Sequence, residues 1–416
     1  MKRICLTVVG FYLMILSAFS QTNNADTASY KNRKLNLEEV NLVSGYYSQD
    51  GNHSAVTGGI GTQKLNDVSN VIDLKFVKWD GSNNKYSWNL ELGVDHHTAA
   101  SQAYISTTGA SSPTGTRIYP SINWKVEKNN GFNFGFGAAM SGEYNYHSLS
   151  ANFSVGKISA NKNTEVNFKA TAFLDKVTML EPAELIPKAT QSTITTFTTA
   201  SGRIVSSGGG EDEVSIPKSS RNTFAGSLTL SQVVNKNMQV AFITDAVAQN
   251  GFLSLPFHRV YFEGKDSAKI ENLPGTRIKF PLGLRLNYFL GDKIIFRTYY
   301  RYYTDSWGIQ SHTASLEVPY KISPFLSVSP FYRYYIQTAA NYFAPYKQHQ
   351  LSEQYYTSNY ELSAFTSQFM GVDVKVTPKH GVFNIPLFNT VEIRYGHYKQ
   401  TTGLQANNIG INLNFK

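Results

Sequence analysis

From about residue 40 the chain alternates apolar and polar side chains almost without a break. In 278–290, IKFPLGLRLNYFL, one face collects Ile278, Phe280, Leu282, Leu284, Leu286, Tyr288 and Leu290, and the other collects Lys279, Gly283, Arg285 and Asn287. In 116–127, TRIYPSINWKVE, Ile118, Ile122, Trp124 and Val126 alternate with Arg117, Ser121, Asn123, Lys125 and Glu127. A side-chain period of two predicts β-strands with one apolar and one polar face. Repeated runs of ten or more residues suit strands that cross a bilayer at a tilt better than the shorter strands of a two-sheet sandwich.

The links between these runs alternate in length. Short turns are predicted at Gly81–Asn84, Lys128–Gly131, Asn161–Asn163, Asn235–Asn237, Gly291–Asp292 and Ile322–Ser323, with a longer one near Thr377–Asn384. Between them come mostly longer connections at 49–66, 98–113, 142–147, 175–220, 248–274, 304–308, 337–356 and 399–403. Turns on one side of a membrane and loops on the other are the habit of an antiparallel transmembrane β-barrel. The fold expected is all-β, a barrel of about 16 strands. Fourteen or eighteen are the alternatives, because HRVYFE (258–263) reads as a strand inside its loop. The long outer loops are expected near 175–220, 248–274 and 337–356. The stretch 190–220, with QSTITTFTTASG and SSGGGEDE, is too polar to fold alone and reads as a mobile outer loop.

The start of the chain adds a compartment. Lys2 and Arg3, the apolar run Leu6–Leu16 and the small residues around Ala18-Phe19-Ser20 read as a signal peptide over 1–20. Residues 21–39 read as a short periplasmic lead and 40–416 as the barrel. The expected location is the outer membrane of a Gram-negative cell. The one cysteine, Cys5, lies in the leader, so the exported chain has no disulfide to hold it and depends on its backbone ladder. The formal charge of +9 falls to +7 without Lys2 and Arg3, and the cations are spread singly rather than clustered. With export, that argues against nucleic acid as a partner. The 26 Tyr and 26 Phe fit strands and membrane interfaces.

Two aromatic-basic stretches, RTYYRYYTDSWG (297–308) and FYRYYIQTAANYF (331–343), divide under the period of two. Tyr300, Tyr302, Tyr332 and Tyr334 fall on the lipid side as an outer aromatic girdle. Arg297 and Arg301, with Arg333 and Arg285 of neighbouring runs, fall on the lumen side. Arg301 and Arg333 are expected at similar height, with Ser311 or Thr313 between them. They form either an anion site or braces paired with Asp305, Glu317 or Glu353. At 95–97, DHH puts Asp95 and His97 on one face, a weak metal candidate that lacks a third ligand. VTGGIGT (56–62) has no GKS/T and no following helix, so it reads as a loop. Ile409, Ile411, Leu413 and Phe415 alternate up to a near-terminal aromatic. They are read as a closing strand carrying the signal for barrel-assembly machinery, although Lys416 follows the aromatic.

Several stretches together resemble a family of predicted Gram-negative outer-membrane β-barrels known only as a domain of unknown function. These are HSAVTGGIGTQKLND (53–67), GVDHHTAAS (93–101), HRVYFE (258–263), LRLNYFLGDKIIFRTYYRYYTDSWGIQSHTASLEVPY (284–320) and FYRYYIQTAANYF (331–343). The resemblance implies location and architecture from about 40 to 416, and carries no catalytic residue, metal or cofactor. The functional expectation is a porin-like channel, or the membrane conduit of an export or redox assembly. A structural barrel presenting loops to a periplasmic or surface partner protein is the alternative. An outer-membrane lipid hydrolase or protease is the third reading, without G-x-S-x-G or HExxH to support it.

Overall fold

Sixteen long strands form one antiparallel wall. The computed structural model describes residues 33–99, 114–143, 145–179, 182, 185, 196–198, 204–206 and 218–416. In chain order the strands are β1 (Arg33–Asp50), β2 (Leu65–Trp79), β3 (Lys85–Ala99) and β4 (Thr114–Glu127). Next come β5 (Phe132–Glu143), β6 (Tyr146–Ile158), β7 (Thr164–Thr178), β8 (Lys218–Asn235) and β9 (Met238–Gly251). Then follow β10 (Thr276–Leu290), β11 (Ile294–Asp305) and β12 (Gln310–Glu317, carried on by Tyr320–Ser323). Last are β13 (Leu326–Gln337), β14 (Phe365–Val376), β15 (Phe388–Gln400) and β16 (Gln405–Phe415).

Each strand pairs with the next, and β16 pairs with β1 from Val40↔Phe415 to Asp50↔Gln405, so the wall closes and leaves no edge. The register that leaves β1 at Val43 and is followed once around the wall returns to β1 about 16 residues farther on. That is about one residue of shear per strand, which gives a tilt of about 35° and a backbone diameter of about 30 Å at ordinary strand spacing and rise.

The expected turns and loops fall where the strands end, with small differences. The turn placed at Ile322–Ser323 lies at 324–325, because Tyr320–Ser323 still pairs with β13. Within HRVYFE, Arg259–Tyr261 pairs only with Ala268–Ile270, a ribbon in the loop rather than a wall strand, which removes the eighteen-strand alternative. β1 starts at Arg33, but its first pairs are irregular, and the closing ladder with β16 begins at Val40. Short turns need left-handed backbone. Gly131 has φ 81, and a Cβ there would run into the carbonyl of Ile158. The leader 1–20 and most of the 175–220 loop lie outside the described residues, apart from a ribbon of Thr196–Thr198 with Ile204–Ser206.

The two faces of the wall differ as the alternation predicts. Leu90, Ile118, Phe136, Met140, Leu149 and Leu284 all point outward and are between 38% and 57% exposed. A belt of large apolar side chains this continuous would be intolerable in water and is matched to hydrocarbon. No helix among the described residues is long and apolar enough to cross a membrane. The protein is a transmembrane β-barrel.

Candidate functional site

Charge is divided unevenly inside the barrel. Cross-strand partners share a face, so the register assigns every inward residue. On β2 and β3 the lumen face carries Asp67, Asp73, Glu91 and Asp95 together with Lys75 and His97, and Arg117 of β4 stands opposite Asp95. On the opposite side, β10 to β15 present Arg277, Arg285, Arg297, Arg301, Arg333 and Arg394 inward.

Half of these arginines are bound to carboxylates. Arg277 donates from Nε to Asp305 Oδ2 at 2.9 Å and lies 4.3 Å over the Trp307 ring. Asp305 is filled by four further donors: Arg277 Nη2, the Tyr303 hydroxyl at 2.6 Å and the N–H groups of Trp307 and Ile309. Glu317 holds Arg297 at 2.8 Å and Arg394 at 3.3 Å. Glu353 stands beside His349. The three carboxylates expected to brace Arg301 and Arg333 are thus engaged elsewhere. Among the described residues Arg285, Arg301 and Arg333 have no carboxylate partner and lie against rings instead: Tyr299 at 6.0 Å, Tyr303 at 5.8 Å and Phe369 at 5.1 Å.

Arg301 aligns through Thr313 with Tyr335, two residues beyond Arg333. The shear of about one residue per strand cancels that offset and brings the two arginines to one height. Thr313 and Ser315 line the strand between them.

The same arithmetic exposes an inner collar that the alternation alone does not announce. Four rising strands at alternate positions, β1, β11, β13 and β15, end in the pattern Tyr-x-Gln or Tyr-x-Asp: Tyr47-Ser48-Gln49, Tyr303-Thr304-Asp305, Tyr335-Ile336-Gln337 and Tyr398-Lys399-Gln400. In each, the phenol donates to the side chain two residues on, at 2.8, 2.6, 2.6 and 2.9 Å. Tyr303 aligns with Gln337, Tyr335 with Gln400 and Tyr398 with Gln49, so the same shear sets all four inward rings level. The residue before each of these tyrosines faces outward: Tyr46, Tyr302, Tyr334 and His397. The sequence signal is the pairs YY at 46–47, 302–303 and 334–335 and HY at 397–398, whose second members fall on the lumen face under the period of two.

On the outer surface Tyr300, Tyr332 and Tyr334 are 38% to 46% exposed, and the Tyr300 hydroxyl meets His312 Nδ1 at 2.7 Å. Tyr302 packs its ring 5.3 Å from His312. Rings with one polar tip suit the headgroup layer. Ile409 and Ile411 face outward on β16, and Phe415 stacks on Phe388 at 4.7 Å as the strand closes against β1.

Above the collar, three outer connections fold into a roof. Residues 51–64 join β1 to β2, and 252–275 join β9 to β10, half a barrel away. The two meet where Arg259, almost fully buried, donates to the Val56 carbonyl at 2.8 Å. Gly58, at φ 83, also packs against the Tyr261 ring, where a Cβ would come within 2.6 Å. Loops from opposite walls can touch only across the mouth. The third connection, 338–364, locks onto both: His53 stacks on Tyr360 at 3.7 Å, and Asn272 and Tyr356 exchange backbone hydrogen bonds of 3.2 and 2.8 Å. At its centre the buried Glu271 accepts from Thr357 Oγ1 at 2.6 Å and from the Leu255 N–H at 2.9 Å, with His258 Nδ1 at 3.6 Å. Burial pushes this carboxyl up, but His258 and the hydrogen bonds outweigh it and hold it below the ordinary carboxylate range. Arg221 of β8 ties the roof to the wall through the carbonyls of Phe252 and Ser254, both at 2.9 Å, as does Gln337 through that of Ser363 at 2.6 Å.

Asp95 accepts from the Tyr119 hydroxyl at 2.7 Å, and His97 Nε2 lies 3.4 Å from Glu143. No group of three metal-ligating side chains gathers there or elsewhere among the described residues. VTGGIGT is a loop, with a single 3-10 turn at Ala55–Thr57 followed by Gly58 and Gly59 at positive φ. Of the three roof histidines, His258 and His349 face carboxylates, His53 and His349 meet backbone carbonyls, and no serine hydroxyl bonds to any of these rings among the described residues.

Fold and inner wall define a transmembrane barrel with a polar lumen. Residues 8–410 match the family described as protein of unknown function (DUF3570), and the chain belongs to that family. No curated protein matches the sequence. Solved structures with a similar fold include a BenF-like porin from Pseudomonas fluorescens Pf-5, at 8% identity and TM-score 0.41, covering 91% of this chain and 98% of that one. CdiB from Acinetobacter baumannii is similar at 10% identity and TM-score 0.45, over 91% of this chain and 60% of that one. OpdK from Pseudomonas aeruginosa follows at 7% identity and TM-score 0.40, over 92% and 98%.

Proposed function

We propose that the protein is an outer-membrane channel for small hydrophilic solutes, its outer mouth covered by a folded roof. The observation that supports this most is the state of the inner wall. Within a closed barrel, the lumen-facing side chains of Arg297, Lys375 and Arg394 are 52%, 49% and 43% exposed. Side chains of the described residues therefore do not fill the lumen, and its polar lining is suited to water and solutes. The outer membrane is supported by the apolar exterior, by an even strand number with both barrel ends on the short-turn side, and by the leader-like start of the sequence.

Swelling of liposomes loaded with purified protein tests this reading. Small sugars should enter at a rate proportional to protein content, and oligosaccharides should be slowed by the roof. Absence of swelling with the smallest sugars would end the channel reading. The ordered roof also favours a second reading, a barrel that presents its loops to a partner protein. Deletion of 190–220 should leave a channel permeable, whereas a docking protein should lose its partner.

A further inference from the structure

We propose that Arg301 and Arg333, supported by Arg285, form a binding step for a small oxyanion, a carboxylate or phosphate group, on the inner wall just below the tyrosine collar. This deepens the channel reading and rests on it. Three observations carry it. First, these three arginines lack a carboxylate partner among the described residues, while their neighbours Arg277, Arg297 and Arg394 all have one. Second, each lies against an aromatic ring, Tyr299, Tyr303 or Phe369. Ring faces hold a guanidinium without neutralising it, so its donor edges stay free for an incoming acceptor.

Third, the pair is spaced to share a ligand. Two strand spacings with two residues of stagger put the Arg301 and Arg333 Cα atoms about 12 Å apart, a span two extended arginine side chains can close from either side. Thr313 and Ser315 between them offer hydroxyl donors to the same anion. On the far wall Asp67, Asp73, Glu91 and Asp95 share the lumen face with Lys75 and with Arg117, the cross-strand partner of Asp95, so charges of both signs are interspersed there. Lower down, Glu317 holds Arg297 and Arg394, and Lys375 meets Glu392 at 3.5 Å, so the excess positive charge is local to this level.

The test is reversal potential in planar bilayers under a KCl gradient, with inorganic phosphate or acetate then added as a competing anion. The full-length protein should prefer chloride over potassium, and millimolar phosphate or acetate should reduce the chloride current. Replacing both residues by Gln should lower the chloride-to-potassium ratio about fifteenfold at low salt, because two charges about 10 Å from the ion path in water shift each ion about fourfold and in opposite directions. It should also abolish the block. Arg301→Lys with Arg333→Lys should keep the ratio but weaken the block, because the forked donors are gone. Arg297→Gln should change the ratio less than the pair does.

Heat-modifiable gel mobility will confirm that each variant is folded. A ratio unchanged in the Gln variant, or a block that survives it, overturns the proposal while leaving the channel reading intact. If wild type conducts nothing, the channel reading fails instead, and the site is judged by calorimetric titration of detergent-solubilised protein with phosphate and acetate. Heat of binding that disappears in the Gln variant would support it, and none in wild type would sink it.

Discussion

Removing the Glu271 carboxylate should unlatch the roof without touching the barrel. In Glu271→Ala the Thr357 hydroxyl and the Leu255 N–H lose their acceptor, and His258 loses the carboxylate beside it, in a site where Glu271 is 5% exposed. Hydrogen bonds to a charged group contribute about 1.5–3 kcal/mol each, and stripping one partner from a buried charged cluster costs about 3–5 kcal/mol. Taking about 3–4 kcal/mol as the loss, the open roof becomes about 140- to 700-fold more populated, since 1.4 kcal/mol is a factor of ten. Hydrogen exchange reads this directly. The amides of Glu263, Asn272, Ala344 and Tyr356, which bond across the roof, should exchange about two to three orders of magnitude faster. Amides in the middle of β9 and β10 should be unchanged. Glu271→Gln keeps the shape and one acceptor oxygen, so its effect should be smaller. Roof amides that keep their wild-type rates would refute the latch, and strand amides that accelerate equally would show that the roof is no separate unit.

Three shorter predictions accompany it. Acid should loosen the same roof: Glu271 and Glu353 are both held low, by His258 and Thr357 in one case and by His349 and the Gln350 N–H in the other, against burial that raises them. A depressed carboxyl stabilises fully above its unfolded pKa of about 4.3, and that stability is lost as pH falls through the folded value. Protease cutting within 252–275 should therefore rise below about pH 4. Leu284→Arg, on the lipid face, should cost up to about 2–4 kcal/mol in urea unfolding from vesicles, whereas Ser227→Arg on the lumen face should cost little. Gly371→Ala places a Cβ against the backbone carbonyl of Tyr395 and the Phe331 ring, so the folded fraction on a heat-modifiability gel should drop.

What could be read beforehand follows from the range of the interactions. Alternation is a local property of the chain, and strands such as 278–290 were legible because lipid and water each select one face. Counting links gave the strand number, since long and short connections mark opposite sides of a membrane. The facing of Arg301 and Arg333 and their common height also came from the pattern, because strand order and regular shear suffice to fix both. The identity of the partners did not. Asp305 was a candidate brace for Arg301 and proves to belong to Arg277, which sits 28 residues away on β10 and reaches it only through the β10–β11 register.

The roof was less legible still. Arg259 and Val56 are 203 residues apart, and although HRVYFE reads as a strand, nothing in its spacing or in that of VTGGIGT shows that the two meet. The inner collar went unseen for a different reason. Tyr47, Tyr303, Tyr335 and Tyr398 stand next to lipid-facing rings or a histidine, and their common height emerges only when register and shear are combined.

The most direct test of the roofed channel is a pair of single-channel recordings in planar bilayers, one with the intact protein and one with residues 253–273 replaced by a two-residue turn. The intact protein should give small, discrete conductance steps. The shortened variant, folded by the gel criterion, should give larger steps, because the span that crosses the mouth from β9–β10 to β1–β2 is gone. Silence from both proteins would mean a sealed barrel and would contradict the account outright; equal steps from both would show that the roof does not limit passage.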